Sequence, residues 1–266
     1  MTGLSRDKII NELNKVGISD YNVQFFKKIE STNTYVMENY KDIAGNVDMI
    51  IANEQTRGKG RLGRNYESAK DEGIYMTLVL KPQIQPKKAV NITLVSALAI
   101  SRAFDELGIK TKVNWPNDII CDKKKICGIL TEMKNQGNEI LCIAVGIGIN
   151  VNQKDFSKEL ENKATSIYLQ TGSFYERAEI IAACVKHFNG LYKEFLEHEN
   201  LEFMVDEYNE KLINIDKEII IEKNGVKESA ILLGTDDNGI LKILVDGKEE
   251  KLISGEIQVR GLLGYV

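Results

Sequence analysis

Thr56-Arg57-Gly58-Lys59-Gly60-Arg61-Leu62-Gly63-Arg64 is the stretch on which the reading of this chain turns. Apolar β-type runs lie on both sides of it. VDMIIANEQ (47–55) leads in and IYMTLVLKP (74–82) leads out, so the loop joins two strands. Gly58 to Gly63 satisfies the dinucleotide fingerprint G-x-G-x-x-G, but that fingerprint opens directly into a helix whose N-terminus takes a pyrophosphate. Here the loop runs into the polar RNYESAKDEG (64–73) and then a strand, which argues against a Rossmann unit. Three glycines let the backbone approach a ligand closely and offer its N–H groups as donors. Arg57, Lys59, Arg61 and Arg64 repel one another unless anions share the site. On this loop alone, a solvated charged loop is an equal reading. An RG-type RNA-binding segment is a poorer one, because the motif occurs once, between strands.

The neighbouring segments read as a mixed α/β chain. Residues 5–16 form a short amphipathic helix with Ile9, Ile10, Leu13 and Val16 on one face. VQFFKKIE (23–30) reads as a strand, and Ser31-Thr32-Asn33 caps the helix after it. Residues 89–107 form a helix that is apolar on most sides and so buried. KTKVNWPNDIICDKKKICGILTEM (110–133) reads as strand, turn, strand, tight loop, strand, and EILCIAVGIGINVN (139–152) as a buried strand. Residues 174–214 are helical with charged outer faces. Beyond them, short alternating runs punctuated by Asn-Gly, Asp-Asp-Asn-Gly and Asp-Gly mark hairpins. The expected division is therefore a domain over 1–214 and a small β domain over 215–266.

With 43% hydrophobic and 28% charged residues, the composition is that of a soluble globular protein. No apolar run approaches the roughly 18 residues of a membrane span, and MTGLSRDKIINEL has no signal-peptide core, so a cytoplasmic location is expected. Cys121, Cys127, Cys142 and Cys184 form no CxxC pair, with only His187 and His198 beside them. Buried free thiols are expected, not a metal site or a disulfide framework. A net charge of −4 excludes a generally basic nucleic-acid binder and makes the cluster at 57–64 the more informative.

The Gly/Arg loop resembles that of the biotin protein ligases. It is accompanied, in that family's order, by Ser31-Thr32-Asn33 upstream and by Trp115-Pro116-Asn117-Asp118, Lys125-Ile126-Cys127-Gly128-Ile129-Leu130 and Gly146-Ile147-Gly148-Ile149-Asn150 downstream. The tail, ending Gly255-Glu256-Ile257-Gln258-Val259-Arg260, is also similar to the family's C-terminal part. The resemblance implies an α/β (α+β) catalytic domain with a central, mainly antiparallel sheet flanked by helices, similar to class II synthetases, and a C-terminal SH3-like β-barrel. It implies a ligase that uses biotin, ATP and Mg2+ to make biotinoyl-AMP and then biotinylates a lysine of a biotin carboxyl carrier protein.

The same resemblance suggests the site. Arg61, Arg64 and Lys125 would offset the repulsion between the biotin carboxylate and the α-phosphate of ATP, and guanidinium suits a two-pronged grip on such groups. Ser31, Thr32, Asn33 and Gln55, with the backbone at Gly58 and Lys59, would read the ureido ring, and Arg61, Lys125 and Gly128 would complete the biotin site. Tyr66 would stack near adenine, with Asn117, Asp118 and Asn150 around the adenylate, and Asp118 is the candidate base for the acceptor lysine. Each has a plainer reading: Ser31-Thr32-Asn33 as a helix cap, Trp115 as core, Asn150 as a partner for strand-end backbone. Glu256 or Arg260 in the tail would touch the nucleotide or serve structure alone.

Two departures bear on this. Asn114 stands where many relatives have lysine, and Lys59 replaces a common arginine. One short helix before Ser31 is too little for a three-helix DNA reader, so sequence-specific DNA binding is not expected. The resemblance also allows a homodimer joined at sheet edges. The competing readings are a lipoate ligase or lipoyl/octanoyl transferase, a biotin sensor without catalysis, and a nucleic-acid module. A tail without a ureido group needs no dense polar array. The presence of Lys125 and Arg61 argues against the sensor, and the acidic net charge argues against the module.

Overall fold

The computed structural model describes residues 3–223, 226–253 and 257–261. The chain runs α1 (Arg6–Lys15), β1 (Val23–Phe26), α2 (Thr32–Glu38), α3 (Tyr40–Ile43) and β2 (Met49–Ala52). The Gly/Arg loop then forms its own hairpin, β3 (Gly58–Lys59) and β4 (Asn65–Tyr66), around a 3-10 turn at Arg61–Gly63. β5 (Ile74–Leu80), α4 (Pro86–Ala89), α5 (Ile92–Glu106), β6 (Lys112–Asn114), β7 (Asp118–Cys121), β8 (Lys124–Gln136) and β9 (Glu139–Ile149) follow. Next come α6 (Ile167–Thr171), α7 (Arg177–His198) and α8 (Val205–Lys211). The last part is β10 (Glu218–Lys223), β11 (Val226–Thr235), β12 (Leu241–Val245), β13 (Lys248–Leu252) and β14 (Ile257–Gly261).

The large sheet has the order β1-β2-β5-β9-β8-β7-β6, and every neighbouring pair is antiparallel except β1–β2. Side chains alternate between its two faces with period two. Met49, Ile51, Ile74, Met76, Leu78, Val145, Ile147 and Ile149 share one core with α5 and α7. The intervening Ile50, Val79, Cys142 and Ala144 pack with Val36 of α2 in a smaller cluster. Full burial of each such aliphatic side chain contributes about 1.5–3 kcal/mol. On that second face, beyond the small cluster, lie Tyr75, Thr77, Gly146 and Gly148, and there the layer covering the sheet gives way to a cleft.

Some boundaries differ from the expectation. The helix over 89–107 divides at Val90-Asn91, because Pro86 starts a separate turn at a position where its missing N–H costs nothing. The helical stretch 174–214 breaks at Glu199, which takes a left-handed conformation (φ 54°) before α8 begins. The strand expected over 23–30 ends at Phe26, and Ile29 makes only an isolated bridge to Gln55. All four cysteines are buried and free. Burial pushes the Cys142 thiol up to about 11 and holds Cys127 well above its usual range, so these thiols behave as small core residues.

The small sheet, in the order β13-β12-β11-β10-β14, is wholly antiparallel. Its Asp-Gly hairpin has positive φ at both turn residues, Asp246 (46°) and Gly247 (76°), as a two-residue turn of this hand requires. Ile219, Leu232, Leu241 and Ile243 join the same core as α5 and α7. Asn209 of α8 holds the junction: its Nδ2 donates to Thr235 O at 3.1 Å and its Oδ1 accepts the Thr235 N–H at 2.8 Å. Among the described residues no helix is long and apolar enough to cross a membrane.

A charged pair between Arg102 of α5 and Glu207 of α8 tests this arrangement. Arg102 Nε donates to Glu207 Oε1 at 2.9 Å, and a second contact joins Nη2 to Oε2. The bond from Arg102 holds the Glu207 carboxyl below its ordinary range. A carboxylate depressed on folding stabilises above its unfolded pKa, and that contribution disappears as pH falls through the folded value. With the side chains 35% and 37% exposed, solvent screens the pair. Arg102→Gln is therefore expected to cost less than about 1 kcal/mol. Urea unfolding should show the loss at pH 7 and none at pH 2.5.

Candidate active site

Period-two alternation places three glycines on the α2 face of the sheet. Gly128 of β8 and Gly148 of β9 are register partners, and Gly146 is paired with Leu130 on one side and Thr77 on the other. A Cβ on Gly148 would come within 2.5 Å of the Tyr66 ring, and one on Gly146 would collide with the Asn33 amide. These positions need glycine for close approach, not for turning. Above this floor is an open cleft.

One end of the cleft is polar and tightly specified. Ser31 is the N-cap of α2, its Oγ accepting the Thr34 N–H at 3.4 Å, so its hydroxyl hydrogen is still available to donate. Gln55 Oε1 accepts from the Thr32 N–H at 2.8 Å and from the Thr32 hydroxyl at 3.1 Å. Asn33 Nδ2 donates to Leu130 O at 3.0 Å and to Glu132 Oε2 at 2.9 Å, while Asn33 Oδ1 accepts from the Thr77 hydroxyl at 2.7 Å. Both amide hydrogens of Asn33 are thus used, and its oxygen keeps one acceptor position. Ser31-Thr32-Asn33 is at once helix cap and cleft wall.

The other end carries the cations. Arg61, opening the 3-10 turn, donates from Nη1 to Asn117 Oδ1 at 2.8 Å, tying the Gly/Arg loop to the Trp115–Asp118 turn. Asn117 Nδ2 donates to Ile129 O at 2.9 Å. Burial pulls the Arg61 pKa down; Asp118 opposes that and Arg64 reinforces it. Lys125 Nζ lies 2.6 Å from Asp118 Oδ1, the two side chains being 26% and 14% exposed. The Tyr66 hydroxyl donates to Asn150 Oδ1 at 3.3 Å, and burial drives its pKa well above the usual phenol range, so it works as a neutral donor. Asn150 Nδ2 donates to Thr165 O at 3.0 Å.

Ser31, Thr32, Asn33, Gln55, Lys59, Arg61, Tyr66, Asn117, Lys125 and Gly128 all line this one cleft. Asp118 and Asn150 stand just behind the wall, against Lys125 and Tyr66. Gly58 is paired with Tyr66 across the loop hairpin, and a Cβ there would meet the Tyr66 carbonyl at 2.5 Å. Arg64 is exposed at the end of the 3-10 turn. Asn114 is buried at the end of β6, opposite Asp118 in the register, and Lys59 is exposed. Glu256 and the Arg260 side chain lie outside the described residues.

Sequence reasoning passed over three contributors. Thr77 orients both Thr32 and Asn33, and the signal for it was a lone hydroxyl inside the apolar run IYMTLVL. Glu132, which fixes the Asn33 amide, gave no signal, because a charged residue late in a strand reads as surface. Arg177 lay in a segment read as charged on its outer faces but is only 6% exposed. Its Nη1 donates to Asn53 Oδ1 at 2.9 Å and to Gly73 O at 3.0 Å, pinning the two stems of the Gly/Arg loop together.

Residues 25–150, which hold every lining side chain just described, match the model of the biotin/lipoate A/B protein ligase family. The bifunctional ligase/repressor BirA of Bacillus subtilis is 32% identical over 79% of this chain, which spans 66% of that protein. Its counterpart in Bacillus spizizenii is 31% identical over 87% of this chain, which spans 72% of it. The solved biotin protein ligase of Aquifex aeolicus, in complex with biotin and ATP, superposes with a TM-score of 0.78 at 28% identity, over 90% of this chain and 99% of that one. Sequence and backbone agree, and this chain belongs to the biotin/lipoate protein ligase family.

Proposed function

We propose that this chain is an ATP-dependent biotin protein ligase. It joins the biotin carboxylate to AMP with loss of pyrophosphate, then passes the biotinoyl group to a lysine of a biotin carboxyl carrier protein. The observation that carries this reading is the cage of Ser31, Thr32, Asn33 and Gln55, set across the Gly128–Gly148 floor from Arg61 and Lys125. The ureido ring has two N–H donors and one carbonyl. Asn33 Oδ1 has an acceptor position for one N–H, and the Ser31 hydroxyl has a hydrogen for the carbonyl. Leu130, on the same side of β8 as Gly128, is partly exposed and suits the apolar tail. The Aquifex complex with biotin and ATP supports both ligands. A lipoyl or octanoyl chain would leave these polar groups without partners, which such sites reject strongly.

In the first step a carboxylate oxygen attacks the α-phosphorus and pyrophosphate leaves. Two like charges at 4 Å repel by about 1 kcal/mol in water and by several in a drier site. Arg61 and Lys125 offset that repulsion, and we assign the departing pyrophosphate to Arg64, which is exposed at the end of the 3-10 turn. Tyr66, Asn117, Asp118 and Asn150 surround the nucleotide. Mg2+ supplies further charge neutralisation on the phosphates when bound. It needs one or two protein carboxylates, and Asp118 is the carboxylate at this end of the cleft. In the second step the acceptor amine attacks the acyl carbon and AMP leaves. Only about 0.1% of an ordinary lysine is unprotonated near pH 7.4, so Asp118 serves as the base once it is released from Lys125. Residues 1–214 carry this chemistry, and 215–266 form an accessory SH3-like domain.

Three outcomes follow. The purified protein with ATP and Mg2+ should release pyrophosphate with biotin but not with lipoate or octanoate, and should add the biotinoyl mass to a carrier-domain lysine. Release supported by lipoate alone would leave the family intact and sink the biotin reading. Lys125→Gln should lower the adenylation rate about 10²–10³-fold, with circular dichroism unchanged, as measured by biotin-dependent pyrophosphate exchange. Gly146→Ala, which pushes on Asn33, should raise the biotin KM at least tenfold while leaving the ATP KM within a few-fold, at a stability cost of about 1–3 kcal/mol in denaturation.

A further inference from the structure

Outside the cleft, distant stretches of the chain meet at one buried polar node. Arg177, the first residue of α7, is 6% exposed. Its Nη1 donates to Asn53 Oδ1, just past β2, at 2.9 Å and to Gly73 O, just before β5, at 3.0 Å. Its Nη2 lies 3.8 Å from Asp71 Oδ1, which also accepts from Asn53 Nδ2. Asn152, beyond the end of β9, completes the node. Its backbone N–H donates to Glu72 O at 2.9 Å. Its side chain brackets Tyr175, accepting that residue's N–H and donating to its carbonyl, both at 3.0 Å. The two feet of the Gly/Arg loop, the start of α7 and the segment after Asn150 are thereby joined. Loop and segment meet again at the surface, where the Ser157 hydroxyl donates to Glu67 Oε1 at 2.8 Å. Tyr75 leads from the node back to the cleft. Its hydroxyl donates to Ala69 O at 2.9 Å, and its ring stands edge-on to Tyr66 with centroids 6.3 Å apart.

We propose that Arg177 is a positioning residue that keeps the Gly/Arg loop closed over the acyl-adenylate, so that the intermediate is retained until an amine takes it. The assignment rests on the ligase reading. A buried guanidinium is a poor source of stability by itself, because desolvation offsets much of what its bonds return. What it supplies is geometry, a planar fork of donors held at the end of a 22-residue helix that is packed into the core. Lys59, Arg61 and Tyr66 all lie between the two anchors, so their placement over the glycine floor depends on where Asn53 and Gly73 sit. The acyl-adenylate is a reactive mixed anhydride, and a site that opens before transfer admits water. Water then attacks the acyl carbon, AMP leaves, and free biotin is regenerated with nothing passed to the carrier. Loosening an anchor removes no group that lines the cleft, so it acts on retention before it acts on formation of the intermediate.

The test uses the full chain with Arg177→Met, Arg177→Lys and Asn53→Ala. Enzyme is loaded with labelled biotin and ATP, freed of excess ligand, and followed through two quantities. One is the rate at which biotinoyl-AMP and its hydrolysis products pass a filter that holds back the protein, with no carrier present. The other is the number of pyrophosphates released per carrier domain biotinylated. Both are normalised to enzyme that has made the intermediate, so a merely structural role, which lowers the amount of folded enzyme, leaves them unmoved. In Arg177→Met the escape rate should rise about tenfold, the scale of one lost hydrogen bond to a charged group. Its pyrophosphate count per carrier should rise with it, while the unaltered protein stays close to one. Arg177→Lys, which keeps the charge and can still donate to one of the two oxygens, should fall between them. Asn53→Ala leaves Arg177 on Gly73 O and should show a smaller rise, which keeps the test decisive if Arg177→Met fails to fold. Escape at the unaltered rate in the folded variants overturns the assignment, whatever happens to the rate of adenylation. If the unaltered protein makes no intermediate from biotin and ATP, the ligase reading falls and takes this assignment with it.

Discussion

Strand alternation in β9 is the constraint from which most of this structure follows. In a strand buried on both faces, each residue serves one side or the other. Val145, Ile147 and Ile149 fill the core against α5 and α7, while Gly146 and Gly148 open the other face. Because Gly128 of the adjacent strand is in register with Gly148, the bare patch spans two strands. One-residue slippage would bury the glycines and thrust isoleucines into the cleft. The register that stabilises the core is therefore the register that makes the site.

Around this floor, the polar groups are held by residues that themselves touch little of the cleft. Thr77 and Glu132 decide which way the Asn33 amide faces, and Gln55 is turned by the Thr32 backbone. A site whose donors and acceptors are oriented in advance loses less on binding and discriminates by leaving wrong ligands unpaired. The cationic end is arranged differently. Arg61 and Lys125 are each engaged by a neighbour, Asn117 and Asp118, so neither is a bare buried charge in the free protein.

The Gly/Arg loop joins both halves. Its stems are pinned by buried Arg177, its middle is a short hairpin, and its tip reaches the Trp115–Asp118 turn through Arg61. Four cations on so short a segment are tolerated because burial of one, exposure of the others and the nearby Asp118 separate and compensate them.

Several things were determined by the sequence alone. Hairpin turns at Asp-Gly and Asp-Asn-Gly, the buried helix after Pro86, the two-sided strands and the order of the five motifs are local signals. Each is carried by a few adjacent residues whose backbone preference or spacing is intrinsic. Most of the site was legible for the same reason, since its loop, turn and glycine positions are contiguous words. What remained hidden depends on residues far apart in the chain. Thr77 meets Asn33 across 44 residues, and Arg177 meets Asn53 across 124. Neither composition nor period encodes which distant side chains will share a face. That is decided by strand register and helix packing, which are properties of the folded chain as a whole.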